Sequence, residues 1–466
     1  MAKKNETATL LLALLITLGL LGAGVWWLAS RLKLQPNLTS GSSFSLSGGK
    51  VQDRVSVGNR ILIPSNTSAT KQEATEALAS GDFATAAAKF QASLQANRND
   101  PEGLIGLNNA RIGNAKSYVI AVSVPIGTDP NGSLEILRGV AQAQTQINQA
   151  GGIKGIPLKV AIANDDNNPD IAKQVAATLV QNSEVLGVVG PYASDVSLAT
   201  VPVYQQGELV AISPISTSVK LSGFSRYFFR TVPSDYVAAR ALAAYMLNQL
   251  QKKTAAVFFN SQSGYSQSLK AEFVTALSLG GGQTLLEVDL SDPGFSPADS
   301  VKSAIQQGAQ VLVLAANTGT LDKALQVVQV NQQRLQLLGG DDLYAPKTLE
   351  VGGAESVGMV VAVPWHIDAN PSASFPRQSR LLWGGDVNWR TALSYDATQA
   401  LIAALQRNPT RSGVQQTLAD PSFSTPGASG VVRFLPSGDR NASVQLVKIV
   451  LGQRSGKGYD FVPVSQ

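Results

Sequence analysis

The chain has 466 residues, of which 44% are hydrophobic and 15% charged, and its formal net charge is +5. A chain of this length and apolar content can bury more than one core, so about two or three folded units are expected. It contains no Cys and one His, His366. This excludes disulfides, thiolate zinc sites, a Cys nucleophile and multi-His metal centres. Lys and Arg are scattered rather than clustered, which argues against a nucleic-acid partner.

The amino-terminal segment has the clearest targeting signal. Residues 7–30 read TATLLLALLITLGLLGAGVWWLAS, carry no charge and are flanked by basic residues on both sides. As a helix this run would span about 36 Å, enough to cross a bilayer, and Trp26 and Trp27 would lie near one interface. We therefore predict an uncleaved signal-anchor helix within residues 1–33; a cleaved signal peptide is the alternative.

Two further segments precede the main domain. Residues 34–66 are rich in Ser, Gly and Asn and are predicted to be a linker. Residues 67–115 have a helical pattern, with two apolar faces around a turn at Gly81 and Asp82 and a third helix after Pro101. Their spacing resembles one tetratricopeptide (TPR) unit. Because a single unit cannot bury its own apolar face, we expect it to pack on the following domain rather than recruit a partner.

From residue 117 onward, strand-like runs such as YVIAVSV, PLKVAIA and TAAVFFN alternate with amphipathic segments of helical length. Regular alternation of this kind indicates an α/β fold with doubly wound parallel sheets. The number of strand-like runs exceeds one comfortable sheet. Two α/β lobes are therefore predicted.

The stretch Val185–Leu221 carries the strongest indication of a binding site. Two runs rich in β-branched residues, VLGVVG and LVAIS, each end in a loop that contains Pro, and each loop leads to a hydroxyl residue, Ser194 or Thr217. Repetition of this unit places both hydroxyls at the carboxyl ends of neighbouring parallel strands, where open α/β sheets bind ligands. Helix amino termini there favour anions such as a carboxylate. Ordinary helix capping is the alternative.

Residues Ser117–Gln466 resemble the type I periplasmic solute-binding proteins of the branched-chain amino-acid ABC transport (Leu/Ile/Val-binding-like) family. The ordered motifs that carry this resemblance are INQAGGIKGIPLKVAIANDD, VVGPYASDVSLA, LVAISPISTS, YFFRTVPSDYVAARALAAYM, SYDATQALIAAL and GVVRFLPSGDRN. The resemblance implies a domain over residues 116–466 with two similar lobes, three crossovers and a ligand cleft that closes by hinge motion. Lobe 1 would hold about 117–232 and 364–441, and lobe 2 about 233–363 and 442–466.

The resemblance also implies roles for individual residues. Ser194 would donate its hydroxyl to the α-carboxylate of the ligand, and the main-chain carbonyl of Ile215 would accept from the ammonium. Thr217 would contact the ligand head group, and Asp341 would pair with the ammonium. The neighbouring loop residues Tyr192, Ala193 and Ser216 complete the ligand-binding set that we predict from these two loops.

Three positions depart from the family pattern. Amino-acid binders of the family usually carry an aromatic residue where this chain has Asn317, and some carry a Trp where Gly132 stands. The usual Glu is shortened to Asp341. We keep Asn317 and Gly132 in the predicted site and expect a larger or more polar pocket that takes an amino acid or a related small amide.

Other motifs are better explained by structure than by chemistry. Asn164–Asp170, NDDNNPD, lacks the Gly and the terminal Glu of an EF-hand, so a turn with helix-capping side chains is predicted rather than a metal site. His366 has no catalytic partner nearby by motif, so a structural or cleft-lining role is predicted. The two Trp residues of LWGGDVNW are predicted to pack in the core, with an aromatic cleft rim as the alternative.

The sequence therefore predicts a membrane-anchored solute-binding component of an ABC importer, with its binding domain in the periplasm and permease subunits as partners. A sensor or scaffold receptor with the same ligand-binding fold is the alternative. An enzyme is disfavoured because no nucleophile elbow or cofactor fingerprint is present, and no cofactor is expected.

Overall fold

The computed structural model describes residues 51–370 and 372–464. The predicted signal-anchor helix and residues 34–50 of the predicted linker lie outside the described residues. Within the ranges that are described, no helix is both long enough and apolar enough to cross a membrane.

Three helices occupy the segment before the main domain: α1 (Ala69–Ala79), α2 (Phe83–Ala96) and α3 (Pro101–Ile112). A hydroxyl or carboxylate side chain caps each amino terminus, as Asp100 does for α3 by accepting from Gly103 N. Phe90 and Ile105 are buried, and Asn109 Nδ2 donates to Val160 O of the first sheet at 2.7 Å. The segment thus packs on the following domain, as expected, while its likeness to a TPR unit stays a prediction.

The first sheet has six strands in the order β1, β3, β2, β4, β5, β6. Their bounds are β1 (Val55–Ser56), β2 (Tyr118–Val124), β3 (Leu158–Asn164), β4 (Val185–Val189), β5 (Ala211–Ser213) and β6 (Phe228–Arg230). Strands β2 to β6 are parallel. Helices α4 (Pro130–Gln149), α5 (Pro169–Gln181) and α6 (Ser194–Gln206) follow β2, β3 and β4.

Strand β1 pairs antiparallel with β3 through Val55 and Ala163. The sequence predicted linker here, but these residues belong to the first lobe. The physical reason is that β3 would otherwise leave an unpaired edge, and β1 satisfies its backbone groups while Val55 becomes buried. Two residues are too few for a sequence pattern to reveal a strand.

The second sheet has seven strands in the order β15, β14, β11, β10, β9, β7, β8. Their bounds are β7 (Thr254–Phe259), β8 (Gln283–Asp289), β9 (Val311–Ala315), β10 (Gln336–Gly339), β11 (Val360–Val363), β14 (Gln445–Leu451) and β15 (Tyr459–Pro463). Strands β7 to β11 are parallel, and β14 and β15 are antiparallel additions at one edge. The helices of this lobe are α7 (Asp235–Ala244), α8 (Gly264–Leu279), α9 (Pro297–Gln306), α10 (Leu321–Asn331) and α11 (Pro346–Gly352).

After β11 the chain returns to the first lobe. It forms α12 (Ser374–Trp383), α13 (Trp389–Arg407), α14 (Arg411–Ala419) and a hairpin of β12 (Thr425–Gly427) and β13 (Gly430–Val432). Helix α13 packs on α4, where Thr391 Oγ1 donates to Glu135 O at 2.9 Å. The chain then passes to β14 of the second sheet. The chain thus crosses between the two α/β lobes three times. This confirms the predicted two-lobed α/β fold class for the domain.

Candidate ligand-binding cleft

A cavity of about 430 Å³ lies where the carboxyl ends of strands from both sheets meet. The first lobe contributes the loops after β2, β3, β4 and β5, and the second lobe contributes the loops after β7, β9 and β10. Of the nine residues that the sequence predicted for the site, seven line this cavity: Tyr192, Ala193, Ser194, Ile215, Ser216, Asn317 and Asp341. Open α/β sheets usually bind their ligands at the carboxyl ends of the strands.

The start of α6 forms one wall of the cavity. Ser194 is the first residue of this helix, and no side chain of the described chain caps it. Ser194 Oγ accepts from Ser218 N at 3.2 Å, and Ser216 Oγ donates to Tyr192 O at 2.9 Å. These bonds connect the loops after β4 and β5 directly. Together they hold a hydroxyl beside uncapped helix amides, which is an arrangement that suits an anion.

Ile215 lines the cavity, but Thr217 does not. Thr217 is buried at the first crossover between the lobes, where its carbonyl oxygen accepts from Asp235 N at 2.8 Å. This bond joins the loop after β5 to the first turn of α7. The structure therefore places Thr217 at the junction of the lobes, and its contact with the ligand head group stays a prediction.

Asp341 forms the opposite wall, in the one-turn 3₁₀ helix that follows β10. The residue is only 8% exposed, and its Oδ1 accepts from the Tyr265 hydroxyl at 2.5 Å. Burial, reinforced by the neighbouring charge of Asp342, raises the pKa of Asp341 to about 7. The second carboxylate oxygen has no hydrogen-bond partner within the described part of the chain. A buried acid in this state is poised to receive a cationic or donor group of a ligand.

Of the three positions that depart from the family pattern, Asn317 and Gly132 lie in different cavities. Asn317 lines the cavity, and its Oδ1 accepts from Asn260 Nδ2 at 2.9 Å and from Thr320 Oγ1 at 2.8 Å. Gly132 lines an adjacent cavity of about 800 Å³ instead. A Cβ atom at Gly132 would come within 2.4 Å of Asp129 Oδ2 and within 2.9 Å of the Tyr192 ring. Asp129 and Tyr192 thus occupy the space that a larger residue at position 132 would need.

Sequence reasoning missed an ion pair beside the cavity. Arg390, the second residue of α13, donates from Nη2 to Asp342 Oδ1 at 2.8 Å and from Nε to the Tyr192 hydroxyl at 3.1 Å. Tyr265 and Asp129 also line the cavity, and the sequence did not predict either of them. No local pattern distinguishes these residues. Their positions depend on bringing α13, α8, the start of α4 and the loop after β10 together.

The lobes also contact each other directly. The Asp195 carboxylate of α6 accepts from Gly264 N, the first amide of α8, at 2.9 Å. Ser268 Oγ, also on α8, accepts from Val219 N of the first lobe at 3.0 Å. With the Arg390–Asp342 pair, these contacts span the cleft from one lobe to the other. The two lobes are therefore in direct contact around the cavity.

The other three motifs that the sequence offered as possible sites have structural roles. Asp165 is buried in a turn, where it accepts from Ser123 Oγ at 2.7 Å and from Asn167 N at 2.9 Å, and Asn168 caps α5. His366 lies outside the cavity with Nδ1 accepting from Asp368 N at 3.2 Å, and burial lowers the pKa of His366. Both Trp residues of LWGGDVNW are buried. Across residues 51–370 and 372–464, no group of three or more His, Cys, Asp or Glu side chains is arranged to hold a metal ion.

Two α/β lobes with a cavity between their sheet edges define a solute-binding class of protein. A model of the periplasmic binding protein family matches residues 120–454, and the chain therefore belongs to this family. The family is one of solute-binding proteins rather than enzymes. The resemblance that the sequence indicated is thereby confirmed.

The chain is similar to several characterised proteins. The Leu/Ile/Val-binding protein homolog 3 of Brucella melitensis is 25% identical over 278 residues, which are 59% of this chain and 74% of that protein. An ABC transporter substrate-binding protein from Desulfitobacterium hafniense, solved with Leu, superposes with a TM-score of 0.65 at 22% identity and covers 74% of this chain and 100% of its own. A solute-binding protein from R. palustris, solved with 4-hydroxybenzoate, gives a TM-score of 0.65 at 14% identity, covering 75% and 96%. These two solved structures have the same fold as this chain.

Proposed function

We propose that this chain is the extracytoplasmic solute-binding component of an ABC importer and binds an amino acid or a related small amide between its lobes. The observation that carries the proposal is that Ser194, Ile215 and Asp341 line one cavity. The hydroxyl at the start of α6 suits an α-carboxylate, and the buried acid on the opposite wall suits an ammonium group. The relative from D. hafniense, solved with Leu, supports the choice of an amino acid.

The contacts across the cleft support a mechanism of hinge closure. The Asp195–Gly264 and Arg390–Asp342 contacts can form only when the lobes meet. A ligand that touches both walls binds the closed form more tightly than the open form and shifts the population toward it. The closed form would then dock on permease subunits in the membrane.

The uncharged run at residues 7–30 supports attachment of the binding domain to the outer face of the cytoplasmic membrane. Carbonate-washed membranes should retain the full-length protein, and protease added from outside should digest residues 117 onward. Recovery of a soluble mature form that starts near residue 30 would show a cleaved signal instead.

Thermal shift of the full-length protein against a panel of amino acids and amides tests the binding function. A ligand found in this way should lower the radius of gyration in small-angle scattering, because the lobes close around it. A panel without any binder would contradict the proposal. Loss of uptake of that ligand in cells that lack the protein distinguishes an importer component from a sensor or scaffold, for which uptake would be unchanged.

A further inference from the structure

The cavity has an unbalanced charge. Four carboxylates are among its described lining residues, and no Lys, Arg or His is; the four are Asp129, Asp195, Asp341 and Asp342. A zwitterionic amino acid with an aliphatic side chain would add no net charge to this surface. The four carboxylates differ in the partners that the protein gives them.

Two of the carboxylates are compensated within the protein. Both oxygens of Asp195 lie within hydrogen-bond distance of Gly264 N, at 3.1 and 2.9 Å, at the amino terminus of α8. Asp342 forms the ion pair with Arg390 and also accepts from Thr318 N at 2.9 Å. These two carboxylates are engaged in holding the lobes together and in positioning the loop after β9. They leave little capacity for a ligand.

The other two carboxylates form no ion pair among the described residues, although the charge of Arg390 acts on both. Asp129 caps α4 with one oxygen, which accepts from Gly132 N at 2.9 Å. Asp341 accepts from Tyr265 with one oxygen, and its second oxygen makes no hydrogen bond with a described residue. Because Asp341 lines the cavity, this oxygen is open to a ligand group that donates to it.

Asp129 and Asp341 lie on opposite lobes and line the same cavity. Burial raises the pKa of Asp342, Arg390 lowers it, and the negative charge of Asp129 raises it, so Asp129 acts on the Asp341–Asp342 turn across the cleft. Because Asp129 and Asp341 line one cavity, a ligand there can meet both carboxylates. Other lining residues offer hydrogen bonds, as Asn167 does, or apolar contacts, as Val196 and Ile215 do.

We propose that the cavity takes a basic amino acid, whose α-ammonium group pairs with Asp341 and whose side-chain cation pairs with Asp129. The α-carboxylate lies at Ser194 and the start of α6. The inference rests on the proposed amino-acid function and specifies its ligand class. A branched aliphatic side chain would desolvate Asp129 without compensating its charge, and an aromatic carboxylate would add a further negative charge to the cavity.

Calorimetry on the full-length protein in mild detergent tests the ligand class with lysine, glutamine, leucine and cadaverine. Lysine should bind at least about tenfold more tightly than leucine, because the lysine side chain has a second ammonium group and the leucine side chain has none. Cadaverine has two ammonium groups but no carboxylate and should bind more weakly than lysine. Equal or tighter binding of leucine or of cadaverine would overturn the inference. Absence of binding by all three amino acids would instead contradict the proposed function.

A pair of variants tests the role of Asp129. Asp129→Asn removes the charge while retaining an oxygen that can cap α4, since Asn is as good an N-cap as Asp. The ratio of lysine affinity to glutamine affinity should fall by about tenfold. Asp82→Asn makes the same change at the cap of α2, where Asp82 accepts from Thr85 N away from the cavity, and should leave the ratio unchanged. An unchanged ratio in Asp129→Asn would overturn the assignment.

Discussion

Arg390 of the first lobe and Asp342 of the second form an ion pair at 2.8 Å beside the cavity, with side chains that are only 8% and 13% exposed. Arg390 also stacks on the Trp389 ring at 4.4 Å and donates to the Tyr192 hydroxyl. The guanidinium is therefore held in place by its own lobe, and Asp342 reaches it only when the cleft is closed. The pair acts as a latch between the lobes.

Removal of the latch charge should favour the open cleft. We expect Asp342→Asn to weaken the contact between the lobes by about 2–5 kcal/mol, because Arg390 would be left partly buried without its counter-charge. At the same concentration of a ligand found in the panel, the fall in radius of gyration should be smaller in Asp342→Asn than in the wild type. Asp170→Asn is the control, since Asp170 forms an exposed pair with Lys173 within α5. An equal fall in Asp342→Asn and the wild type would contradict the latch.

Asp341 should make the stability of the ligand-free protein depend on pH. Burial raises its pKa from 3.8 to about 7, so the folded protein holds a proton that the unfolded chain releases between these values. Its contribution to the free energy of unfolding is therefore full below the unfolded pKa and declines as pH rises toward the folded pKa. Asp342, Tyr265, Arg390 and Asp235 are the charged or titratable groups that act on it.

Asp341→Asn removes this dependence because the amide stays neutral. The variant should be more stable than the wild type at pH 8, by about 3–4 kcal/mol, and nearly equal at pH 4. Urea unfolding at the two pH values measures the difference, with Asp170→Asn as an exposed control. A difference between Asp341→Asn and wild type that does not change with pH would count against a raised pKa at Asp341.

Ser194 and Asp341 should not contribute equally to ligand affinity. Asp341→Ala leaves the ligand ammonium enclosed without its counter-charge, with an expected loss of about 2–5 kcal/mol. Ser194→Ala removes one of several donors to a carboxylate that also meets the amides of α6, so about 1–2 kcal/mol is expected. Calorimetry with the ligand found in the panel measures both. Wild-type affinity in Asp341→Ala would remove this acid from the site.

The helical segment should depend on a buried charge cluster. Lys71 Nζ lies 2.8 Å from carboxylate oxygens of both Asp100 and Glu102, and all three side chains are buried. Lys71→Met would leave two buried carboxylates uncompensated, with an expected cost of about 3–5 kcal/mol. Lys89→Met, at an exposed pair with Glu73, should cost about 0–1 kcal/mol. Similar urea midpoints for the two variants would show that the cluster contributes little.

Local patterns were sufficient to predict two doubly wound lobes, because runs of β-branched residues and amphipathic segments encode strands and helices within short windows. They also predicted that the loops carrying Ser194 and Thr217 share a sheet edge, since β4 and β5 are neighbouring parallel strands whose loops must emerge on the same side. The resemblance to the family added Ile215, and also Asp341, which lies on the other lobe.

Long-range packing decided the remaining features of the site. Arg390 and Asp342 are distant in sequence and meet only because α13 returns to the first lobe and faces the loop after β10. Thr217 resembles Ser194 in its local pattern, yet it lies outside the cavity at the junction with α7. The edge strand β1 likewise depends on the unpaired side of β3. In each case a residue's neighbours come from another part of the chain, and no short window of sequence contains them.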